Sequence, residues 1–174
     1  MNHILFAIIF FLPAGIANAA PVFANKIPFL NKWTTPVDFG LMINGKRVLG
    51  DNKTWRGLFF GGLTGGLTGW LVYQFISTVA SQQLSHFWIG AILGLGGLFG
   101  DALESFFKRQ MNIKSGESWF PYDQIDYILG AILFSIPFIR LNLVDYLAVL
   151  AFYFGLHVVV SFIGYKLKLK DKPI

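Results

Sequence analysis

The stretch GDALESFFKRQMNIKSGESWFPYDQID, residues 100–126, concentrates charge in a chain that is otherwise mostly apolar. It holds five of the nine acidic residues, together with Lys108, Arg109 and Lys114. An ionisable side chain at or inside a membrane boundary is costly unless a partner offsets its charge, so such groups are functional candidates. This stretch therefore predicts the facing ends of two membrane helices with a divalent-metal and phosphate site between them.

The composition predicts an all-α integral membrane protein. Of the 174 residues, 55% are hydrophobic and 13% are charged, and cysteine is absent. Membrane helices of roughly 20 residues each leave no room for a large soluble domain, and the missing cysteines exclude a thiolate metal site. We expect a single transmembrane catalytic domain over residues 1–174. The five transmembrane helices predicted by hydropathy are residues 4–20, 58–79, 87–107, 125–139 and 143–165.

The basic residues predict how these spans are oriented. Five spans place 13 of the 14 lysines and arginines on one face, in the loops at residues 21–56 and 108–122 and in the tail, and leave Arg140 opposite. The positive-inside rule makes that face cytoplasmic, with the N-terminus outside and the C-terminus inside. We therefore expect a multi-pass protein of the cytoplasmic (inner) membrane whose site faces the cytosol.

The first apolar segment has a second interpretation. Ala17-Asn18-Ala19 resembles a signal-peptidase site, and cleavage there would remove the first span. However, the start Met1-Asn2-His3 lacks the positive charge of a typical signal peptide, and export would place the basic loop at residues 21–56 outside. A retained span is the preferred interpretation.

Glycine recurs every four residues in the second span, at Gly57, Gly61, Gly65 and Gly69, and a similar series runs through the third. Small residues at this spacing let helices approach backbone to backbone in lipid. We interpret the series as helix packing within or between chains, which leaves a homo-oligomer open. A glycine surface that admits a lipid phosphate is the alternative.

Two acidic pairs are the candidate metal ligands. Asp101 and Glu104 share one helix face near the cytoplasmic end of the third span, where the helix dipole disfavours anions. Asp123 and Asp126 lie at the start of the fourth span, where helix capping alone would explain them. Both pairs lie at one membrane depth, and converging carboxylates suit Mg²⁺. Ion pairing to the neighbouring basic residues is the structural alternative for the first pair.

The basic residues beside these acids are candidate phosphate ligands. Lys108, Arg109 and Lys114 follow the third span, and Lys53 and Arg56 precede the second. Arginine in particular can bind phosphate in a bidentate manner. The alternative is that both groups are ordinary anchors at the membrane surface. Nucleic acid is excluded as a partner because the basic residues border spans and form no extended patch.

Other catalytic motifs are missing from the sequence. His3, His86 and His157 are scattered without metal-ligand spacing. There is no P-loop, no dinucleotide-binding glycine motif beside a strand, and no nucleophilic serine or cysteine elbow. We therefore expect no histidine in the site.

The charged stretch resembles the signature of the CDP-diglyceride synthetases, or phosphatidate cytidylyltransferases. SFFKR at residues 105–109, followed by Lys114, is similar to its start, and DQID at residues 123–126 is similar to its closing aspartate pair. The signature has an aspartate after the lysine and His-Gly-Gly before the aspartates, where this chain has SGE and FPY. Those departures, the short length, and the pieces NAAPV, KTWRG and PYDQID look more like the CDP-archaeol synthase branch.

This resemblance covers essentially the whole chain. It implies Mg²⁺-dependent transfer of CMP from CTP to a phosphorylated two-chain glycerolipid, an archaetidic-acid-like ether lipid or phosphatidate, with release of pyrophosphate. The metal ligands that it implies are Asp101, Asp123 and Asp126, to which we add Glu104. The predicted catalytic residues are Asp101, Asp123, Asp126, Lys108 and Arg109. The predicted phosphate-binding residues are Lys53, Arg56, Lys108, Arg109 and Lys114.

Two other functions fit the same charges. A CTP-dependent polyprenol or phytol kinase also needs acids, Mg²⁺ and basic residues, but it would benefit from a general base and would release CDP. A non-enzymatic transporter or membrane scaffold would tolerate neutralisation of Asp123 or Asp126 and would show no nucleotide dependence. The reaction product therefore distinguishes the three classes.

Overall fold

The computed structural model describes residues 2–76 and 85–168, and these residues are mostly helical. The α-helices are His3–Phe10 (α1), Leu12–Lys26 (α2), Trp55–Val72 (α3), His86–Gln110 (α4), Asp126–Ser135 (α5) and Leu143–Lys166 (α6). Short 3-10 helices span Leu30–Lys32, Tyr73–Phe75 and Tyr122–Gln124. A small antiparallel sheet pairs Met42–Ile43 (β1) with Lys46–Arg47 (β2).

The helices lie where the sequence predicts apolar spans. The helical stretch His3–Lys26, α4 and α6 are each long and apolar enough to cross a membrane. α5 is apolar but has only 10 residues. The described residues thus contain three helices that meet the length and composition expected of a full span.

Some predicted boundaries were wrong. α2 continues to Lys26, so the loop that precedes α3 is shorter than the predicted residues 21–56. α5 ends at Ser135 instead of residue 139, because Pro137 has no N–H to continue the helical ladder. Residues 77–79 of the second predicted span, and Lys170 and Lys172 of the basic tail, lie outside the described residues.

A break between α1 and α2 is stabilised by tyrosine hydroxyls. Pro13, in the first turn of α2, lacks an N–H, and nearby carbonyl groups find side-chain donors. The Tyr73 hydroxyl donates to the Phe10 carbonyl at 2.6 Å, and the Tyr153 hydroxyl donates to the Ile8 carbonyl at 2.8 Å. Because lipid cannot satisfy backbone carbonyls, these bonds stabilise the break and tie α1 to its neighbours.

α4 packs closely against α2, α3 and α5 through glycine. A Cβ atom added to Gly65 of α3 would lie 2.7 Å from the Gly90 carbonyl oxygen of α4. At the crossing of α4 with α5, a Cβ on Gly100 would overlap the Asp126 carbonyl oxygen and lie 3.1 Å from the Gly130 Cα. The glycine series therefore packs helices within the chain, as predicted.

The segment between α2 and α3 forms a hairpin. Asn44 and Gly45 have φ angles of 50° and 74°, as the predicted Asn-Gly turn requires. Lys46 in β2 donates to the Gln110 carbonyl oxygen at 2.5 Å, which ties the hairpin to the C-terminal end of α4. The hairpin therefore lies beside the charged stretch at residues 100–126.

The buried carboxylate of Asp38, which precedes the hairpin, binds residues within and after it. Asp38 accepts a hydrogen bond from the Leu49 N–H at 2.9 Å and forms an ion pair with Arg47 at 2.9 Å. Burial raises the pKa of Asp38, but hydrogen bonds from the N–H groups of Leu49 and Gly40 and from Arg47 outweigh it, so the pKa is lower than usual. The Asp38 carboxylate thus fixes the segment between the hairpin and α3.

Candidate active site

Two cavities meet near the C-terminal end of α4. The smaller, of about 570 Å³, is lined mostly by charged and polar side chains and is called here the polar cavity. The larger, of about 1330 Å³, has Leu, Val, Phe and Pro side chains on about half of its wall, contributed by α2, α3, α4, α5 and the segment before α3, and is called the apolar cavity. Residues that line both are Asn18, Val22, Leu49, Asn52, Lys53 and Asp101.

An acidic cluster of Asp101, Glu104 and Asp126 lies on the wall of the polar cavity. One carboxylate oxygen from each residue lies within 4.8 Å of the others. Asp101 and Glu104 share a face of α4 because they are three residues apart, and Asp126 is the first residue of α5. The close backbone contact at Gly100 brings the start of α5 against α4 and so assembles the cluster.

Each member of the α4 pair has a lysine partner. Asp101 Oδ2 lies 2.6 Å from Lys53 Nζ, and both side chains are partly buried. Lys108 Nζ lies 3.2 Å from Glu104 Oε1 and 2.7 Å from Asp123 Oδ1, and only 9% of the Lys108 side chain is exposed. The predicted ion pair of Glu104 with the basic residues after it is therefore present, and Lys108 links the two acidic pairs.

Asp123 does not cap α5, so that structural alternative was wrong. A short 3-10 turn separates it from the helix, whose N-cap residue is Ile125 and has no capping side chain. Asp123 Oδ2 instead accepts from the Trp119 N–H at 2.6 Å. Burial raises the pKa of Asp123, but hydrogen bonds outweigh it and lower the pKa, among them those from Lys108 and the Trp119 N–H. Asp123 is thus stabilised as an anion beside the acidic cluster.

The other predicted phosphate ligands, Arg109, Lys114 and Arg56, differ in their positions relative to the two cavities. Arg109 lines the polar cavity, whereas Lys114 is exposed and lines neither cavity. Arg56 lines the apolar cavity but is only 6% exposed. It donates to the Leu30 carbonyl oxygen at 3.0 Å and to Asn25 Oδ1 at 2.9 Å. Arg56 is therefore held inside the protein, and the alternative of a snorkelling surface anchor is wrong for this residue.

A family model described as "CarS-like: CDP-archaeol synthase" matches residues 1–174. The chain belongs to this family. It is 35% identical to a CDP-archaeol synthase of Sulfolobus acidocaldarius, with 99% of each chain covered. It is 39% identical to a CDP-archaeol synthase of Methanospirillum hungatei, covering 86% of this chain and 95% of that relative. These matches extend the resemblance seen in the charged stretch to almost the full length.

A solved structure also resembles this CarS-like chain. It belongs to an intramembrane enzyme for archaeal membrane lipid biosynthesis, and it is 34% identical to this chain. The match has a TM-score of 0.77 and covers 91% of this chain and 94% of the other. The helical arrangement described above is therefore shared with a known membrane-embedded enzyme.

The structure of this CarS-like protein also brings residues to the polar cavity that the sequence did not single out. His157 and Ser161 line it from α6, whose Val159, Val160 and Phe162 are exposed. His157 thus lies at the cavity, and the expectation that no histidine takes part in the chemistry stays a prediction. The available signal was two polar residues four apart in a largely apolar stretch of α6, which places both on one face.

The acidic cluster fits a hard divalent cation such as Mg²⁺. Carboxylate oxygens are the ligands that Mg²⁺ prefers. Glu104 Oε1 is buried and, although it lies 3.2 Å from Lys108 Nζ, it accepts no hydrogen bond from the described residues. A buried carboxylate oxygen without a hydrogen-bond donor is strongly stabilised by a cation. This CarS-like chain thus has a donor set of the right chemistry, with its oxygens within 4.8 Å of one another.

Proposed function

We propose that this protein transfers CMP from CTP to a phosphorylated two-chain glycerolipid, giving a CDP-lipid and pyrophosphate in ether-lipid biosynthesis. The observation that carries the proposal is the acidic cluster with its lysines at the junction of a polar and an apolar cavity. Polar walls suit a nucleotide triphosphate, and apolar walls suit lipid chains. Membership of the CDP-archaeol synthase family supports the same reaction, with the archaeal ether lipid as the natural acceptor.

For this reaction, the protein needs mainly to bind and orient the two substrates. The lipid phosphate is already an anion at neutral pH, so no side chain needs to act as its base. One of its oxygens attacks the α-phosphorus of CTP and forms a new P–O bond. The bond from the α-phosphorus to the bridging oxygen breaks, and its electron pair leaves with pyrophosphate. Positioning and charge stabilisation therefore dominate the catalysis.

Asp101, Glu104 and Asp126 would hold Mg²⁺, with Asp123 beside them as a further candidate ligand. When bound, the ion supplies positive charge that offsets the charge developing on the transferred phosphoryl group. We propose Lys108, Arg109 and Lys53, which line the polar cavity, as phosphate ligands. Arg56 and Lys114 remain predictions for the same role, since neither lines that cavity.

We further propose that residues 1–174 form one transmembrane catalytic domain with five spans in the cytoplasmic membrane. The N-terminus would lie outside, and the C-terminus and the site would face the cytosol. The distribution of basic residues supports this orientation, and α3 and α5 would be the two additional spans. Reaction of exposed sites with a membrane-impermeant reagent in intact cells, after single cysteine substitutions in this cysteine-free chain, tests it.

The function is tested with purified protein in detergent, CTP and Mg²⁺. Digeranylgeranylglyceryl phosphate is compared with phosphatidate, and wild type is compared with Asp123→Asn. We expect pyrophosphate and a CDP-lipid, with the ether lipid preferred, and loss of product after chelation or in the variant. Release of CDP would indicate a kinase, and no nucleotide turnover would contradict the enzyme class.

A matched control separates loss of chemistry from loss of structure. Asp145 is another buried carboxylate, but it pairs with His3 at 2.5 Å, far along α6 from the acidic cluster. Asp145→Asn should lower the unfolding temperature while keeping product formation. Equal loss of activity in Asp145→Asn and Asp123→Asn would argue that the site assignment is wrong.

A further inference from the structure

The side chain of Lys53 occupies the point where the two cavities meet, and its backbone is held on both sides. The Val37 N–H donates to the Lys53 carbonyl at 2.8 Å, and the Trp55 N–H donates to the Thr35 carbonyl at 3.1 Å. Thr54, the next residue, caps α3. With the backbone fixed in this way, the flexible four-carbon stem of Lys53 is the part that can move.

The contact that Lys53 makes is one that a metal ion would also need. Its Nζ lies 2.6 Å from Asp101 Oδ2, and Asp101 belongs to the acidic cluster whose oxygens lie within 4.8 Å of one another. A magnesium ligand oxygen lies only about 2.1 Å from the ion. An ammonium on the same carboxylate would therefore lie close to a divalent cation, and the two positive charges would repel each other.

Lys108 differs from Lys53 in this respect. It is bound by two carboxylates, Glu104 and Asp123, and its side chain is only 9% exposed. Among residues 2–76 and 85–168, Lys53 has one carboxylate partner; its side chain is 21% exposed and lines both cavities. A lysine with one partner and open space on two sides can change partners at lower cost than a lysine buried between two anions.

Building on the proposed function, we propose that Lys53 exchanges between Asp101 and the phosphate of the lipid substrate, and that metal binding drives the exchange. With a metal ion held by Asp101, the Lys53 ammonium would leave that carboxylate. The released ammonium then binds the lipid phosphate where the apolar cavity opens into the polar one. Metal and lipid phosphate thus assist each other's binding through one side chain, and this coupling must be reciprocal.

The exchange is tested by Mn²⁺ binding, measured by electron paramagnetic resonance on the full chain in detergent without CTP. Mn²⁺ is a suitable probe because it also favours carboxylate ligands. We expect Lys53→Met to bind Mn²⁺ about tenfold more tightly than wild type, because a competing cation is gone. Adding digeranylgeranylglyceryl phosphate should tighten Mn²⁺ binding about fivefold or more in wild type and hardly at all in Lys53→Met. The phosphate-free alcohol should have no effect in either.

Two further variants control the measurement. Lys46→Met removes a lysine of the same segment that binds a backbone carbonyl, and its Mn²⁺ affinity should match that of wild type. Lys53→Arg keeps a cation on Asp101, so its Mn²⁺ affinity should stay within about twofold of wild type. Size-exclusion profiles and unfolding temperatures establish that each variant is folded.

The outcomes separate this proposal from the proposed function. Unchanged or weaker Mn²⁺ binding by Lys53→Met would overturn the exchange even if wild type makes a CDP-lipid. If Lys53→Met has a higher KM for CTP and an unchanged KM for the lipid phosphate, the exchange is also overturned. Lys53 would then bind the nucleotide and not the lipid. If the Mn²⁺ pattern appears but wild type makes no CDP-lipid, the exchange stands and the cytidylyltransferase assignment fails.

Discussion

Adding one methyl group at Gly100 should separate the two halves of the acidic cluster. Its Cβ would overlap the Asp126 carbonyl oxygen and lie 3.1 Å from the Gly130 Cα. Both neighbours are backbone atoms, so no side chain can rotate away. Since carbon atoms pack at about 3.5–4.0 Å, α5 must move by on the order of 1 Å in Gly100→Ala. Asp126 moves with α5, while Asp101 stays on α4.

The expected loss of activity follows from that displacement. A misplacement of about 1 Å can cost about 100-fold in rate, which corresponds to about 2.7 kcal/mol of transition-state stabilisation. Overpacking of the crossing should also destabilise the fold by about 1–3 kcal/mol. We therefore expect Gly100→Ala to lower kcat for CDP-lipid formation about 100-fold and to lower the unfolding temperature.

Gly97→Ala is the matched control, on the same helix and one turn away. A Cβ on Gly97 would meet its nearest neighbours, the Tyr127 and Ala14 carbonyl oxygens, at 3.4 and 3.5 Å, which is ordinary contact. Replacing helical glycine with alanine favours the helix by up to about 1 kcal/mol. Gly97→Ala should keep wild-type kcat and stability. A Gly100→Ala enzyme with a kcat close to that of Gly97→Ala would refute the idea that this crossing sets the site.

Three further outcomes are expected. Lys108→Met leaves two largely buried carboxylates without their ammonium, which costs about 3–5 kcal/mol, so thermal unfolding and turnover assays should both show a large loss; wild-type values in both would contradict it. Tyr73→Phe leaves the Phe10 carbonyl without its donor and should destabilise the fold by about 1–3 kcal/mol in chemical denaturation, with activity retained at low temperature. Because the pKa of Asp38 is lowered in the folded protein, wild type should be more stable than Asp38→Asn at neutral pH. That advantage should fade as the pH falls through the lowered pKa and the pair with Arg47 is lost; a pH-independent difference in unfolding temperature would argue against the ion pair as its cause.

Hydropathy and local motifs predicted much of the fold. Lipid forces each apolar segment to satisfy its own backbone as a helix, so the positions of the helices can be read from composition. The Asn44-Gly45 turn follows equally from local rules, because both residues tolerate the positive φ that a tight hairpin requires. The end of α2 was less predictable, because Asn25 and Lys26 look like loop residues until the fold places them on the wall of the apolar cavity.

The partners that are distant in the chain could not be predicted from local pattern. The pair of Lys53 and Asp101 joins residues 48 apart in the chain, and it depends on how α3 and α4 pack. Similarly, capping rules would place Asp123 at the start of α5. A 3-10 turn instead holds Asp123 before that helix, where its carboxylate pairs with Lys108. The position of His157 on the polar cavity was not predicted, because it depends on how α6 packs against the rest of the chain.

The shortness of α5 has a consequence for the surrounding bilayer. Ten residues rise only about 15 Å, which is half of a hydrocarbon layer of about 30 Å. A bilayer adjusts to a short apolar surface by thinning next to it. In the proposed arrangement, lipids that border α5 would be drawn towards the midplane, with their headgroups near the depth of Asp126. A lipid phosphate would then reach the site without leaving its leaflet.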